Sequence, residues 1–278
     1  MITIKDLTFW YSKRNIVFER LSLQLNEGHI YGLLGKNGVG KTTLLKLITG
    51  LSFPKTGEVK VDGAIPGNRQ PAFLSNIFLV PEEVSLPSMT SLMFARTYGC
   101  FYSSFDLVQF KEFLERFEVS PGQKLSGMSL GQKKKALLSF ALASNTRYLF
   151  LDEPTNGLDI PSKAVFRSIL ASSFSEDKTI ILSTHQVRDL QSLIDTVIIL
   201  EERKIILNQS LDRVAQKFTF GHSLLAPVSG EILYSINSEL GQTMMTLNHS
   251  GIPGNMDLET LFSASINIPE KLSAVLDN

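Results

Sequence analysis

The sequence has 278 residues, 43% hydrophobic and 19% charged, with 27 Lys or Arg set against 27 Asp or Glu. This excludes a disordered or collagen-like chain and suits either one large α/β domain with an appendage or two modest domains. A formal net charge of zero gives no overall electrostatic pull toward nucleic acid or anionic lipid. A single cysteine, Cys100, rules out an intrachain disulfide and makes a cytosolic setting natural.

The first residues, Met1 to Asp6, lack a basic stretch followed by an apolar run, so no signal peptide is expected. Ile2, Ile4, Leu21, Leu23 and Leu25 alternate as strands do, with Asn26-Glu27-Gly28 as a turn. Ile30 to Leu34 is a short apolar run leading into a glycine-rich loop. Thr42 to Leu51 then reads as a helix whose apolar face holds Leu44, Leu45, Leu47 and Ile48. A second small β region covers Gly57 to Gly63.

From Pro87 to Ala143 the 3.6-residue period dominates, with Phe110, Phe113, Leu114 and Phe117 on one face. Lys133-Lys134-Lys135 reads as a solvated helix face. Two apolar strands follow: Tyr148 to Leu151, running into Asp152-Glu153-Pro154, and Thr179 to Leu182, running into Ser183-Thr184-His185. Apolar runs separated by helices suit a parallel sheet covered on both faces. The longest such runs, for example Thr196 to Leu200, fall far short of the ~18–20 residues a membrane-spanning helix needs.

Composition shifts near residue 218. Residues 218–278 hold one basic residue against six acidic ones, a net −5, while the remainder holds 26 against 21, a net +5. Ile232 to Asn237 and Thr243 to Asn248 read as a hairpin around Glu239-Leu240-Gly241, and Asp257 to Phe262 as a short helix. The expected organisation is therefore a main domain over 1–217 and a small α+β accessory module over 218–278.

Chemistry enters at Gly35-Lys36-Asn37-Gly38-Val39-Gly40-Lys41-Thr42. Glycines let several backbone N–H groups converge on phosphate oxygens, and the helix that follows points the positive end of its dipole at the same group. In such a phosphate loop Lys41 reaches the β- and γ-phosphates and the Thr42 hydroxyl binds Mg²⁺. The four fixed positions match by chance in roughly one chain of this length per hundred, before the flanking strand and helix are counted. ATP and Mg²⁺ are the expected ligands, with Gly35, Asn37, Gly38, Gly40, Lys41, Thr42 and Thr43 as their contacts.

Asp152 closes an apolar strand 111 residues after Lys41, where open α/β sheets bind ligands. There it can hold Mg²⁺, and Glu153 can accept a proton from an attacking water. The competing reading is an ordinary strand-end turn, since Asp-Glu-Pro is good turn chemistry.

Further motifs stand in a fixed order around this strand. Met128-Ser129-Leu130-Gly131-Gln132 begins a helix before it, Asn156-Gly157-Leu158-Asp159 follows it, and His185 ends the next strand. With the phosphate loop, this set closely resembles the nucleotide-binding domain of an ABC ATPase over about residues 1–215. The resemblance implies a P-loop NTPase core with a mainly parallel sheet, an N-terminal antiparallel β subdomain and an inserted helical subdomain at about 85–145. It implies two copies packed head to tail, each ATP lying between one P-loop and the partner's Ser129, Gly131 and Gln132. By the same resemblance Tyr11 stacks on adenine, Glu153 is the general base, His185 senses the γ-phosphate and Asp159 belongs to the loop linking the two sites. Val80-Pro81-Glu82 matches the loop joining the core to the helical subdomain, so Glu82 faces Mg²⁺ or the attacking water.

Plainer explanations stand beside these. Ser129 and Gln132 have the spacing of a helix capping box, and Tyr11 can be a strand aromatic. His29, His222 and His249 have no comparable setting and are read as structural or surface residues. Two positions depart from the family pattern, which has glycine at Leu130 and glutamine at Glu82. The resemblance further implies an ATP-hydrolysing subunit at the cytoplasmic face of the cell membrane. It would work through a separate multi-spanning permease, with export preferred because Asp257 to Phe262 is similar to the C-terminal module of exporter-type subunits. The alternative is a soluble ABC ATPase acting on nucleic acid or the ribosome. The sequence shows no coiled-coil heptads, zinc-ligand cysteines or basic extension to support it, so no nucleic-acid partner is expected.

Overall fold

The computed structural model describes residues 1–186, 191–223, 232–238, 241–250 and 252–276. In chain order the elements begin with β1 (Ile2–Ser12), β2 (Asn15–Leu25), β3 (His29–Leu34), α1 (Lys41–Ile48), β4 (Thr56–Val61), α2 (Pro71–Leu74) and β5 (Ile77–Val80). The inserted helices α3 (Ser91–Tyr98), α4 (Leu107–Arg116) and α5 (Leu130–Ala143) follow, then β6 (Tyr148–Asp152), α6 (Ile160–Ser173) and β7 (Thr179–Thr184). The chain continues with β8 (Thr196–Glu201), β9 (Lys204–Ser210), α7 (Leu211–Lys217) and β10 (Phe218–Ser223). It finishes with β11 (Ile232–Ser238), β12 (Gly241–Leu247), α8 (Leu258–Asn267) and α9 (Pro269–Leu276).

The central sheet has six strands in the order β5-β6-β7-β3-β8-β9, parallel except for the antiparallel edge strand β9. Successive side chains of a strand point to opposite faces, and β6 shows why its run is apolar throughout. Leu149 and Leu151 join an apolar cluster with the inserted helices and α6, whereas Tyr148 and Phe150 join a second with α1 and the antiparallel sheet β2-β1-β4. A third sheet, β10-β12-β11, packs with α8 and α9 into the first cluster through Phe218, Phe220, Met245, Leu258 and Leu261.

Several expectations are refined. The hairpin of β11 and β12 forms, but Glu239 and Leu240 lie outside the described residues. Helix α8 runs on to Asn267, capped by the Asp257 side chain, and β10 and α9 were not foreseen. Helix α1 stops at Ile48 rather than Leu51, because Gly50 turns the chain at φ 71°. His29 bonds Asp195 Oδ1 at 2.8 Å and His249 is exposed, while the side chain of His222 lies outside the described residues.

Register decides where the site forms. Leu34 lies beside Thr184, Asp152 beside Ser183 and Val80 beside Leu151, so the C-terminal ends of β3, β7, β6 and β5 open onto one crevice. Phe140 of α5 anchors the inserted helices, with ring centroids 4.9 Å from Phe94, 5.0 Å from Phe105 and 5.5 Å from Phe78. Phe140→Ala should lower the unfolding free energy by about 3–5 kcal/mol, measured by urea titration.

Candidate active site

The phosphate loop leaves β3 at Leu34 and enters α1 at Lys41. Gly38 and Gly40 sit at φ 79° and 116°, and a Cβ at Gly40 would come within 2.9 Å of the Phe18 ring, so the loop needs glycine there on both counts. Lys41 is buried, and its ammonium donates to the carbonyls of Gly35 at 2.7 Å and Lys36 at 3.2 Å. Burial pushes its pKa below the usual lysine range, and the carboxylates of Glu153, Asp152 and Glu82 oppose that shift.

Opposite the loop, Asp152 is almost fully buried with both carboxylate oxygens engaged. Thr42 Oγ1 donates to one at 2.6 Å and Ser183 Oγ donates to the other. Glu153 adopts a left-handed backbone at φ 46°, a conformation that costs an ordinary residue about 1–2 kcal/mol. Two hydrogen bonds from its N–H hold it there, to Ser183 O at 3.1 Å and Ser183 Oγ at 3.2 Å. The bend directs the carboxylate into the crevice. Glu153 Oε1 lies 2.8 Å from His185 Nδ1 and 3.9 Å from the Lys41 ammonium, whereas Oε2 is buried with no hydrogen-bond partner. A buried carboxylate oxygen with a free lone pair is a natural acceptor for an incoming proton donor.

Asn37, Gly38, Gly40, Lys41, Thr42, Thr43, Glu82, Asp152, Glu153 and His185 together line a cleft of about 360 Å³. Gly35 stands behind it as the acceptor for Lys41. At its rim the Tyr11 hydroxyl lies 3.1 Å from Thr43 Oγ1, with most of the side chain exposed. Glu82 Oε1 accepts a 3.3 Å hydrogen bond from Asn156 Nδ2.

The remaining candidates do not line this cleft. Ser129 caps α5 in a reciprocal capping box with Gln132, and Leu130 projects to solvent at 75% exposure. A Cβ at Gly131 would stand 3.0 Å from the Gly157 carbonyl, which ties the start of α5 to the chain after β6. Asp159 caps α6 by accepting from Ser162 N–H and lies 3.9 Å from the Lys135 ammonium; the Ser162 side chain first, and then its N–H, hold the carboxyl below the usual range.

Two residues escaped the sequence reading. Ser183, fully buried, bridges Asp152 and Glu153; its only signal was a hydroxyl two residues before His185. Lys134 is a correction: it is not solvated but 3% exposed, donating to the carbonyls of Glu82 at 3.1 Å and Pro81 at 3.4 Å. Helical rotation turns it further inward than Lys133 and Lys135, which are half-buried.

Comparison with known proteins agrees with this geometry. A family model described as ABC transporter matches residues 18–156, half of the chain. The ABC transporter ATP-binding protein NatA of Bacillus subtilis (strain 168) is 30% identical over 224 residues, covering 76% of this chain and 90% of NatA. The chain belongs to the ABC transporter family. As an ABC protein it is an ATP-binding ATPase. Solved structures share the fold at lower identity. An ATP-binding subunit of an ABC transporter superposes with a TM-score of 0.69 at 22% identity, covering 77% of this chain and 91% of that one. The ATP-binding cassette MJ0796, in a dimeric post-hydrolysis state bound to ADP and Pi, gives 0.65 at 21%, covering 76% and 98%.

The ABC cleft depends on Ser183 for its shape. Ser183→Ala should cost about 1.5–3 kcal/mol of stability, the range for a buried hydrogen bond to a charged group, read from a urea unfolding curve.

Proposed function

We propose that the chain is the ATP-hydrolysing subunit of a membrane transporter, and that its cleft binds the triphosphate of ATP with Mg²⁺. The observation that carries this reading is the convergence of Lys41, Asp152, Glu153 and His185 on one small polar cleft. The N–H groups of Gly38 to Lys41 and the N-terminus of α1 receive the phosphates. Lys41 exchanges its bonds to Gly35 and Lys36 for the β- and γ-phosphates, and Tyr11 stacks on the adenine.

The donor set suits Mg²⁺, since Thr42 Oγ1 and Asp152 Oδ2 are hard oxygens 2.6 Å apart, with Glu82 on the same cleft wall. When bound, the ion neutralises charge on the phosphate oxygens. Glu153 accepts a proton from water through its free Oε2 while His185 and Lys41 hold Oε1. The water oxygen then bonds to the γ-phosphorus, the bond to the β-phosphate oxygen breaks, and ADP leaves.

Ser129, Gly131, Gln132 and Asp159 lie outside this cleft, which supports their assignment to the ATP of a second subunit packed head to tail. That subunit is a copy of this chain or a relative. Among the described residues no helix is long and apolar enough to cross a membrane. In this reading the translocation path belongs to a separate multi-spanning permease, which the relatives named as ATP-binding proteins of transporters support. A cleft of about 870 Å³ lined by Leu74, Phe78, Leu79, Phe101 and Tyr102, between the core and the inserted helices, suits a helix of that permease. In this reading the chain works at the cytoplasmic face of the cell membrane. Residues 218–278 form an accessory module, and their similarity to exporter-type subunits favours export.

Glu153→Gln should bind ATP normally and turn over about 10²–10⁴-fold more slowly, and near-normal hydrolysis would remove Glu153 from the base role. Lys41→Ala should weaken ATP binding about 10–150-fold, measured with a fluorescent analogue. Purification from membranes with a multi-spanning partner supports the transporter reading. Tight nucleic-acid binding at physiological salt, with no such partner, would point to the soluble ATPase class instead.

A further inference from the structure

Three carboxylates, Glu82, Asp152 and Glu153, share the phosphate cleft, yet Lys41 is the one lysine in its lining. A second ammonium lies behind the loop that carries Glu82. Lys134, on the second turn of α5, is buried, and the carboxylates of Glu82, Asp152 and Glu153 favour its charged form against the cost of burial. Its hydrogen bonds run to the backbone of the loop that carries Glu82, at Pro81 O and Glu82 O. That loop leaves β5 at Val80 and has no regular structure of its own, so its position is set by what grips it.

We propose that Lys134 is a positioning residue: its ammonium fixes the Glu82 loop against the cleft and offsets the negative charge that Glu82 brings there. Glu82 adds a third carboxylate to the cleft, and Lys134 sets a cation against its loop from inside the same subunit. Because α5 also begins with Ser129, Gly131 and Gln132, one rigid helix joins the surface offered to a second subunit to the Glu82 loop of its own site. A shift of α5 when that surface is engaged would therefore move Glu82 as well. This rests on the proposed place of Glu82 beside the phosphates.

The test is a double-mutant cycle of K134Q and E82Q, read as ATPase kcat and KM, as affinity for a fluorescent ATP analogue, and as melting temperature without nucleotide. K134Q should lower kcat about tenfold while KM and nucleotide affinity change less than about threefold. In the E82Q background the same substitution should cost at least threefold less in kcat and fewer degrees of melting temperature, because no excess charge remains to offset. K134R, which keeps the charge, should restore most of the kcat that K134Q loses. Equal deficits in both backgrounds, to within about threefold, would overturn the proposal, as would wild-type kcat in K134Q. If K134Q alone does not fold, the charge-balanced K134Q/E82Q is compared with E82Q. A kcat within about fivefold supports the proposal and a larger deficit overturns it. E82Q against wild type reports separately on the place of Glu82, so the two readings fail independently.

Discussion

The carboxylate of Asp152 joins the three pieces from which the cleft is built. It lies at the end of β6 and takes hydrogen bonds from Thr42 on α1 and Ser183 on β7. Burying a carboxylate is costly unless its oxygens are hydrogen-bonded, so these bonds favour one spacing of the phosphate loop, β6 and β7. The same Ser183 holds the N–H of Glu153 and stabilises the left-handed turn that sends that side chain into the crevice. Without this joint, the loop and the strand ends would be neighbours in the sheet but not parts of one site.

Basic groups surround that joint. Lys41 faces the carboxylates from the phosphate loop, His185 from the strand beyond, and Lys134 from behind the Glu82 loop. In the form described, Lys41 is bonded to its own loop carbonyls and Glu153 to His185. Phosphate entering the cleft would compete with the first set of bonds, so binding and realignment of Lys41 belong to one step. Asp159, at the opposite edge, caps α6, and its carboxylate also faces Lys135 of α5. Asp159 and Ser129 both hold structural places as helix caps, which is compatible with the roles proposed for them.

Much of this was legible in the sequence because it depends on short-range pattern. The phosphate loop is eight consecutive residues, and the strands β3, β6 and β7 are apolar on both faces, a mark of a covered parallel sheet. The rest depends on contacts distant in the chain. Three consecutive lysines carry no periodicity, so nothing local told Lys134 from Lys133 or Lys135; packing of α5 under the Glu82 loop decided it. Ser183 was hidden for the same reason, since its importance comes from β6 lying alongside in register. Strand β10 is short and pairs with β12, 19 to 29 residues away, so its pairing could not be anticipated from local alternation.

In the proposed reading the cleft of one chain is half of a hydrolytic site, completed by Ser129, Gly131 and Gln132 of a second subunit, residues that do not line the cleft holding Lys41 and Glu153. The most direct test is ATPase activity per chain, measured across a wide range of protein concentration at saturating ATP. Activity per chain should rise with concentration as dimers form. A constant, nonzero activity per chain down to concentrations where sedimentation shows only monomer, with ATP present, would contradict it.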